Sequence, residues 1–254
     1  MKPADYDSEA LLHQYLLFHF GSATDQFGSH PEPPGGADYP GRCAAAALTL
    51  YGPSPPRTAL DLGCAVGGAT FALARQSLSV LGLDLSDPFI SAAEQLRRNG
   101  RISLHRVEEG ERTTPLEVRL DPQIDRHRTR FMVGDACRLP PEASGPFDLV
   151  LAANLIDRLA SPQTLLNQAP ALVNSGGLLA LMSPYTWLES FTPKEAWLGG
   201  RIQGHGPTDS FTTLRRILEP AFTLIERRDI PFTIREHARK FQWSIADATF
   251  WRRN

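Results

Sequence analysis

The chain has 254 residues, a formal net charge of -2 and a hydrophobic content of 42%. This length suits one large domain or a domain with an appended cap, and the apolar content is sufficient for a packed core. The near-neutral charge argues against a nucleic-acid partner, because nucleic-acid binding normally requires a basic excess. Three scattered cysteines fit neither a disulfide framework nor a zinc site. The N-terminus lacks a signal-like segment and no run approaches about 20 apolar residues, so the sequence predicts a cytoplasmic protein with no membrane partner.

Residues 1–56 are predicted to form an N-terminal helical cap with a lid loop. An amphipathic helix is expected over residues 8–21 and a second helix over residues 42–51. Between them, residues 22–40 are rich in Gly and Pro, and a loop of this length is typical of a lid or a flexible connector. A proline cluster then separates the cap from a core predicted over residues 57–254.

The stretch TALDLGCAVGGATF at residues 58–71 predicts a buried strand, a glycine turn and the start of a helix. Such an arrangement binds nucleotide-like ligands at the carboxyl edge of a parallel sheet. The spacing departs from the dinucleotide fingerprint, and the carboxylate of Asp61 would repel a pyrophosphate. S-adenosylmethionine (SAM), which carries an ammonium and a sulfonium, would be attracted instead. The stretch resembles the first motif of the Rossmann-like methyltransferases, matched by Asp61, Gly63, Ala65 and Gly67; a nicotinamide enzyme requires Asp61 to point away from the ligand.

Two further acids follow predicted strands. Asp84 ends a strand over residues 78–85, where a carboxylate can accept hydrogen bonds from a ribose hydroxyl pair. Asp135 follows a strand over residues 130–134 and is placed to accept from an adenine amine. The predicted cofactor-binding residues are Asp61, Gly63, Cys64, Ala65, Gly67, Asp84, Leu85, Asp135, Ala136, Asn154 and Leu155.

Strands and helices alternate along the core, which predicts an α/β fold. Further strands are expected over residues 147–153 and 178–183, and a closing antiparallel pair over residues 223–235 and 241–251. A polar stretch at about 100–130 reads as a β-hairpin insertion with a solvated surface. The predicted fold is therefore a Rossmann-like, doubly wound, mostly parallel seven-stranded sheet with an N-terminal helical cap and a β-hairpin insertion.

The segment after the fifth strand, at about 184–210, is predicted to be a substrate loop. Tyr185, Trp187 and Phe191 follow the carboxyl end of that strand, so they could line a substrate pocket or only anchor the loop, and the pocket is favoured. A capped helix is expected to start within residues 192–197, and another helix is expected over residues 211–222.

Several segments together resemble one family, the ovothiol-biosynthesis methyltransferases. The matching segments are YLLFHFG at 15–21, DLGCAVGG at 61–68, NLIDRL at 154–159, SPYTWLESFTP at 183–193, WLGG at 197–200 and RKFQWSIADATFW at 239–251. The resemblance implies a SAM-dependent N-methyltransferase that methylates a ring nitrogen of 4-mercaptohistidine (5-thiohistidine) in the last step of ovothiol A biosynthesis, leaving S-adenosyl-L-homocysteine (SAH). In many relatives this domain follows an iron-dependent sulfoxide synthase in one chain. No such domain lies in these residues, so the synthase is expected to act as a separate protein.

This family assignment supports a hypothesis for the acceptor site. Asn154 and Asp157 would orient the imidazole ring, and Asp157 or His19 would be the general base if one is used; an ion pair between Asp157 and Arg158 is the alternative role. Arg42, Arg158 or Lys194 could hold the substrate carboxylate, and the sequence does not choose among them. The predicted catalytic residues are Asn154, Asp157 and His19, and no metal is expected. The predicted substrate-binding residues are Tyr15, His19, Tyr39, Asn154, Asp157, Arg158, Tyr185 and Trp187.

Other functions share parts of this pattern. A methyltransferase of another small-molecule amine, thiol or hydroxyl would carry the same core motifs. A nucleic-acid methyltransferase is disfavoured by the charge and by the lack of a basic patch interleaved with aromatic residues. A non-catalytic subunit would bind the cofactor without turnover, and a homodimer is compatible with the sequence.

Overall fold

The structure is a computed structural model that describes residues 8–203 and 206–254. The strands of these residues are, in chain order, β1 (Thr58–Leu62), β2 (Ser79–Asp84), β3 (Arg101–Glu109), β4 (Arg112–Arg119), β5 (Thr129–Val133), β6 (Phe147–Ala153), β7 (Val173–Ser183), β8 (Arg201–Gln203), β9 (Gly206–Thr208), β10 (Phe222–His237) and β11 (Lys240–Arg253). The helices are α1 (Glu9–Phe20), α2 (Ala23–Phe27), α3 (Tyr39–Tyr51), α4 (Gly68–Leu73), α5 (Asp87–Asn99), α6 (Pro162–Leu172) and α7 (Ser210–Leu218). Single 3-10 turns lie at Arg126–Arg128, Pro141–Ala143, Ile156–Arg158 and Lys194–Ala196.

A seven-stranded sheet organises the described residues. Its strand order is β10-β11-β7-β6-β1-β2-β5, and every neighbouring pair is parallel except β10 with β11 and β11 with β7. The predicted Rossmann-like, mostly parallel fold is confirmed. Because the chain moves outward from β1 to β2 and β5 and then returns to β6, the order reverses between β1 and β6. A ligand crevice is expected outside the carboxyl ends of strands at such a reversal.

The sheet is buried on both faces, as its sequence requires. Strand β6 (FDLVLAA) is apolar almost throughout, and Leu149, Val150, Leu151 and Ala152 are all fully buried. Alternate residues of the central strands enter two apolar clusters. One cluster also contains residues of α1, α3, α4 and α5, and the other contains residues of α6 and α7.

The N-terminal cap packs into the first of these clusters. Helix α1 begins after Ser8, whose side chain accepts from the Leu11 N–H. The loop predicted over residues 22–40 contains the short helix α2, whose capping box lies at Ser22 and Asp25. The division into a cap at 1–56 and a core at 57–254 stays a prediction, and residues 1–7 lie outside the described residues.

The insertion at about 100–130 forms a β-hairpin, β3–β4. Most of its Glu and Arg side chains are exposed, as predicted. The opposite face is apolar, and Ile102, Leu104 and Val118 are buried in the same cluster as α1. The hairpin is tied to the C-terminal strands by an ion pair at 2.7 Å between Glu108 and Arg235.

Strands β10 and β11 extend past the end of the sheet's parallel part. The pairing of β11 with β7 stops at Asp247 and Ser183, whereas β11 stays paired with β10 as far as Lys240 and His237. This overhang therefore stands beyond the carboxyl edge of the sheet. Within the described residues no helix is both long and apolar enough to span a bilayer.

Candidate active site

A cavity of about 400 Å³ lies where the strand order reverses. It is bounded by the loops that follow β1, β2, β5 and β6, and by α1 and α3 of the cap. Its lining residues are Tyr15, Phe18, His19, Tyr39, Pro40, Asp61, Gly63, Cys64, Ala65, Ala69, Leu83, Asp84, Leu85, Ser86, Phe89, Gly134, Asp135, Ala136, Ala153, Asn154, Leu155, Arg158, Leu159, Ala160, Phe191 and Ile234.

Most of the predicted site residues meet at this cavity. The structure brings together Tyr15, His19, Tyr39, Asp61, Gly63, Cys64, Ala65, Asp84, Leu85, Asp135, Ala136, Asn154, Leu155 and Arg158. Four predicted residues do not line it: Gly67, Asp157, Tyr185 and Trp187.

The glycine turn brings its backbone close to the next loop. Gly63 has a φ of 68°, and a Cβ there would lie 2.7 Å from the Leu155 side chain. Ala65 also adopts a positive φ of 46°. Gly67 shapes the turn rather than the cavity, since a Cβ on it would lie 2.7 Å from the Phe131 ring.

Asp61 is buried at the floor of the cavity. Its Oδ2 accepts a hydrogen bond of 2.7 Å from the Thr70 hydroxyl. Burial, with a smaller contribution from the charge of Asp84, raises the pKa of Asp61 to about 7. The condition that would favour a nicotinamide dinucleotide is not met, because Asp61 lines the cavity.

Asp84 fixes the glycine turn while it lines the cavity. Its Oδ2 accepts from the Ala65 N–H at 2.8 Å and its Oδ1 from the Ser86 N–H at 2.9 Å. Burial raises the pKa of Asp84, and the backbone hydrogen bonds act in the opposite direction. A carboxylate oxygen has more than one lone pair, so both oxygens can still accept from a ligand hydroxyl.

At the end of β5, Asp135 uses one oxygen locally. Its Oδ1 accepts a hydrogen bond of 2.8 Å from the Cys137 N–H. Ala136 follows it on the cavity wall.

Asn154 is held at the end of β6 by its backbone and its side chain. It is one of the few non-glycine residues with a positive φ, 54°, and its N–H donates to the Met182 carbonyl. The Tyr39 hydroxyl donates to Asn154 Oδ1 at 2.8 Å. Tyr39 itself is 2% exposed. The amide of Asn154 is therefore oriented by a buried residue of the cap.

His19 lines the cavity, but its geometry is wrong for the predicted general base. Its Nδ1 accepts a hydrogen bond of 3.1 Å from the Gly68 N–H. Burial lowers the pKa of His19 to about 3, so the ring is neutral in the ordinary pH range. With Nδ1 accepting, the ring proton lies on Nε2, which makes His19 a donor toward the cavity.

Asp157 is also misplaced as a base. Its Oδ1 accepts from the Ser183 hydroxyl at 3.0 Å and its Oδ2 from the Thr186 N–H at 2.9 Å. It is fully buried and lies 3.3 Å from the Arg158 guanidinium. The alternative role, an ion pair with Arg158, is the one that the structure contains.

Tyr185 and Trp187, the first two aromatic residues of the predicted substrate loop, are also directed away from the cavity. The Tyr185 hydroxyl donates to Asp247 at 2.9 Å, and the Trp187 indole N–H donates to Ser210 at 2.9 Å. Both anchor the loop, and only Phe191 of the three predicted aromatics lines the cavity. The helix expected within residues 192–197 is a single 3-10 turn, Lys194–Ala196. Residues 204–205 of the predicted substrate loop lie outside the described residues.

Among the described residues, Arg158 is the one lysine or arginine that lines the cavity. Its Nη1 donates to the Thr186 carbonyl at 2.8 Å, and its guanidinium lies 5.0 Å from the Phe191 ring centroid. Arg42 instead donates to three backbone carbonyls of the cap and β10. Lys194 lies 6.0 Å from the Trp197 ring, away from the cavity.

Sequence reasoning missed part of the apolar wall. Phe18 lies on the same face of α1 as Tyr15 and His19, and this helical spacing could have identified it. Phe89 stands in the first turn of α5. Ile234 comes from the overhang of β10, inside the strand predicted over residues 223–235, but no local pattern indicates that this end of the strand reaches the cavity.

The arrangement suits a nucleoside with an amino-acid tail beside an organic acceptor. The described residues contain no group of three or more His, Cys, Asp and Glu side chains placed to hold a metal ion. The expectation of a metal-free reaction stays a prediction.

Comparison with known proteins shows which families and structures the chain is similar to. Residues 60–179 match the protein family described as a methyltransferase domain. A search of the curated proteins finds no match. The structure of magnesium protoporphyrin IX methyltransferase (ChlM) from Synechocystis PCC 6803 with bound SAH aligns over 99% of this chain and 97% of its own, with 13% identity and a TM-score of 0.60. N-methyltransferase NodS from Bradyrhizobium japonicum WM9, in complex with SAH, aligns over 95% and 98%, with 15% identity and a TM-score of 0.52.

At these identities the likeness to solved structures shows the fold. The family match covers β1 to β7 and so includes the glycine turn and the loops after β2, β5 and β6. The described residues therefore have the Rossmann-like fold of these methyltransferases, and residues 60–179 are similar to a methyltransferase domain, which supports a SAM-dependent methyltransferase.

Proposed function

We propose that this chain transfers a methyl group from SAM to an imidazole ring nitrogen of 4-mercaptohistidine (5-thiohistidine), as in the last step of ovothiol A biosynthesis. The segments at 154–159 and 183–193 motivate this substrate by their resemblance to the ovothiol methyltransferases. The observation that carries the proposal is the cavity wall that also contains Asn154, where the guanidinium of Arg158 lies over the Phe191 ring. This wall fits an aromatic amino acid that carries a carboxylate.

The cavity residues fit SAM. Gly63 lies so close to Leu155 that a Cβ on Gly63 would come within 2.7 Å of the Leu155 side chain, so the turn requires glycine. Asp61 would hold the ammonium, Asp84 the ribose hydroxyls, and the loop at Asp135 the adenine. SAM supplies an electrophilic methyl group on a sulfonium sulfur.

The chain's own contribution is positioning. The Arg158 guanidinium would hold the acceptor's carboxylate, and the Asn154 amide, fixed by Tyr39, would orient the ring. Neither His19 nor Asp157 offers a free basic atom, and a thiolate on the imidazole raises the electron density of its nitrogens. Alignment of nucleophile, methyl and leaving group can contribute up to about 7–11 kcal/mol, so a general base is not required.

The test is incubation of the purified chain with SAM and 4-mercaptohistidine, followed by mass and NMR analysis of the product. We expect a ring N-methyl product and much slower turnover of histidine. Two outcomes would contradict this proposal: methylation of the sulfur or the α-amine, and faster turnover of a different amine, thiol or hydroxyl compound. The chain would then be a small-molecule methyltransferase with a different target. The thiol would be supplied by an iron-dependent sulfoxide synthase.

A second experiment addresses the acceptor's carboxylate. Arg158→Gln should raise the KM for 4-mercaptohistidine about tenfold to about 150-fold, the equivalent of about 1.5–3 kcal/mol for a hydrogen bond to a charged group, with SAM affinity retained. Tyr185→Phe is the control, because Tyr185 lies outside the cavity and next to Thr186, whose carbonyl accepts from Arg158. The decarboxylated acceptor, 4-mercaptohistamine, should be used equally by both variants. Equal KM values for the amino acid would remove Arg158 from the acceptor site.

A further inference from the structure

Two polar side chains of the cavity converge on the first turn of α4. His19 Nδ1 lies 3.1 Å from the Gly68 backbone nitrogen, and Asp61 Oδ2 lies 2.7 Å from the Thr70 hydroxyl. Gly68 and Thr70 both lie in the first turn of α4, so the imidazole of the cap and the carboxylate of β1 contact the same helical turn. Both side chains line the cavity.

The hydrogen bond from Gly68 determines what His19 can offer a ligand. Since Nδ1 accepts, the proton of the neutral ring is on Nε2. Within residues 8–203 and 206–254, Nε2 has no hydrogen-bond partner, and it is not among the buried side-chain atoms that lack one. Burial holds the pKa of His19 at about 3, so the ring stays a neutral donor with one fixed tautomer.

The contact with His19 explains why residue 68, the second of the adjacent glycines Gly67 and Gly68, is a glycine. A Cβ on Gly68 would lie 2.6 Å from His19 Nδ1, so any side chain there would displace the imidazole. Glycine at 68 thus lets a residue of the cap reach the first turn of α4, in addition to the turn that Gly67 makes with a φ of 91°.

A donor and an acceptor that line one cavity and contact the same helical turn match an α-amino acid, whose ammonium and carboxylate share one carbon atom. We infer that His19 Nε2–H binds the carboxylate of SAM's methionine portion while Asp61 binds its ammonium. The inference rests on the proposed use of SAM and is independent of the acceptor. It reassigns His19 from the acceptor to the cofactor and gives α1 a direct role in cofactor binding.

Two substitutions separate this role from a purely structural one. The Oδ1 of asparagine occupies nearly the position of histidine Nδ1, so His19→Asn keeps an acceptor for Gly68 and loses the Nε2 donor. The Nε2 of glutamine occupies nearly the position of histidine Nε2, so His19→Gln keeps the donor and loses the acceptor at Nδ1. If His19 only supports the turn, His19→Gln should be the weaker binder of SAM. Our inference predicts the reverse.

The binding experiment uses titration calorimetry with SAM and with decarboxylated SAM, without an acceptor. His19→Asn should weaken SAM binding about tenfold to about a hundredfold and change the affinity for decarboxylated SAM less than about twofold. His19→Gln should fall between His19→Asn and the wild type. Thermal unfolding of each free variant shows whether the fold is retained.

Three results would overturn the inference. The first is an equal loss of affinity for both ligands in His19→Asn, and the second is unchanged SAM affinity with a raised KM for the acceptor. The third is a wild-type chain that does not discriminate between SAM and its decarboxylated form. Each concerns binding alone, so a chain that methylates some acceptor other than 4-mercaptohistidine can still satisfy the inference.

Discussion

The buried carboxylate of Asp61 should cost the free protein stability that a neutral side chain would restore. Burial raises its pKa from 3.8 to about 7. Between these values the folded state retains a proton that the unfolded state has lost. The free energy of unfolding therefore falls as pH rises, by up to about 1.4 kcal/mol per pH unit, and levels off above about pH 7.

The shift of about three units sets the magnitude. At pH 8 the raised pKa lowers the free energy of unfolding by up to about 4 kcal/mol, and at pH 5.5 by roughly half of that. Asp61→Asn removes the titration and keeps an oxygen that can accept from Thr70. Without cofactor, we expect the variant to have a higher free energy of unfolding than the wild type at pH 8. At pH 5.5 this difference in free energy should be about half as large.

The measurement is urea unfolding of both proteins without cofactor, from pH 5.5 to pH 8, by linear extrapolation. Asp121→Asn is the control: Asp121 is an exposed carboxylate whose pKa is lowered by the Gln123 N–H and by Arg75, so its removal should bring no gain at pH 8. The same Asp61→Asn variant should bind SAM more weakly. A variant that is less stable than the wild type at pH 8, or a difference that does not vary with pH, would refute the reasoning.

Two further substitutions test the neighbouring carboxylates. Asp84→Ala should weaken SAM binding by about 1.5–3 kcal/mol in calorimetry, because it removes acceptors for the ribose and for the Ala65 N–H; unchanged affinity would exclude Asp84 from the site. Asp157→Asn should lower stability by about 1–3 kcal/mol, because an amide cannot accept from both Ser183 and Thr186. Its pH–rate profile should keep the shape of the wild type, because Asp157 is not expected to accept a proton. If the variant lost the fall in rate at low pH, Asp157 would be restored as a general base.

The convergence of the predicted cofactor-binding residues could be foreseen because they lie at or just after the carboxyl ends of strands. The carboxyl ends of β1, β2, β5 and β6 meet at one edge of the sheet, so Asp61, Asp84, Asp135 and Asn154 converge whatever their exact side-chain directions. The fold follows from the same alternation of strands and helices.

The acceptor half depends on side-chain direction, which sequence spacing does not give. Asp157 and Arg158 are adjacent in a 3-10 turn, and that turn sends one into the core and the other to the cavity. Tyr185 has a positive φ of 51°, so the chain turns there and directs its ring to Asp247. The role of His19 depends on a backbone N–H that lies 49 residues away.

The order of the last two strands has a consequence for synthesis. Strand β11 follows β10 in the chain but lies between β10 and β7 in the sheet. As the chain emerges from a ribosome, β10 has no place in the sheet until β11 has been made, so Ile234 reaches the cavity wall late. The glycine turn and its acids are made much earlier. A nascent chain thus has most of its cofactor-binding residues well before the cavity that encloses them is complete.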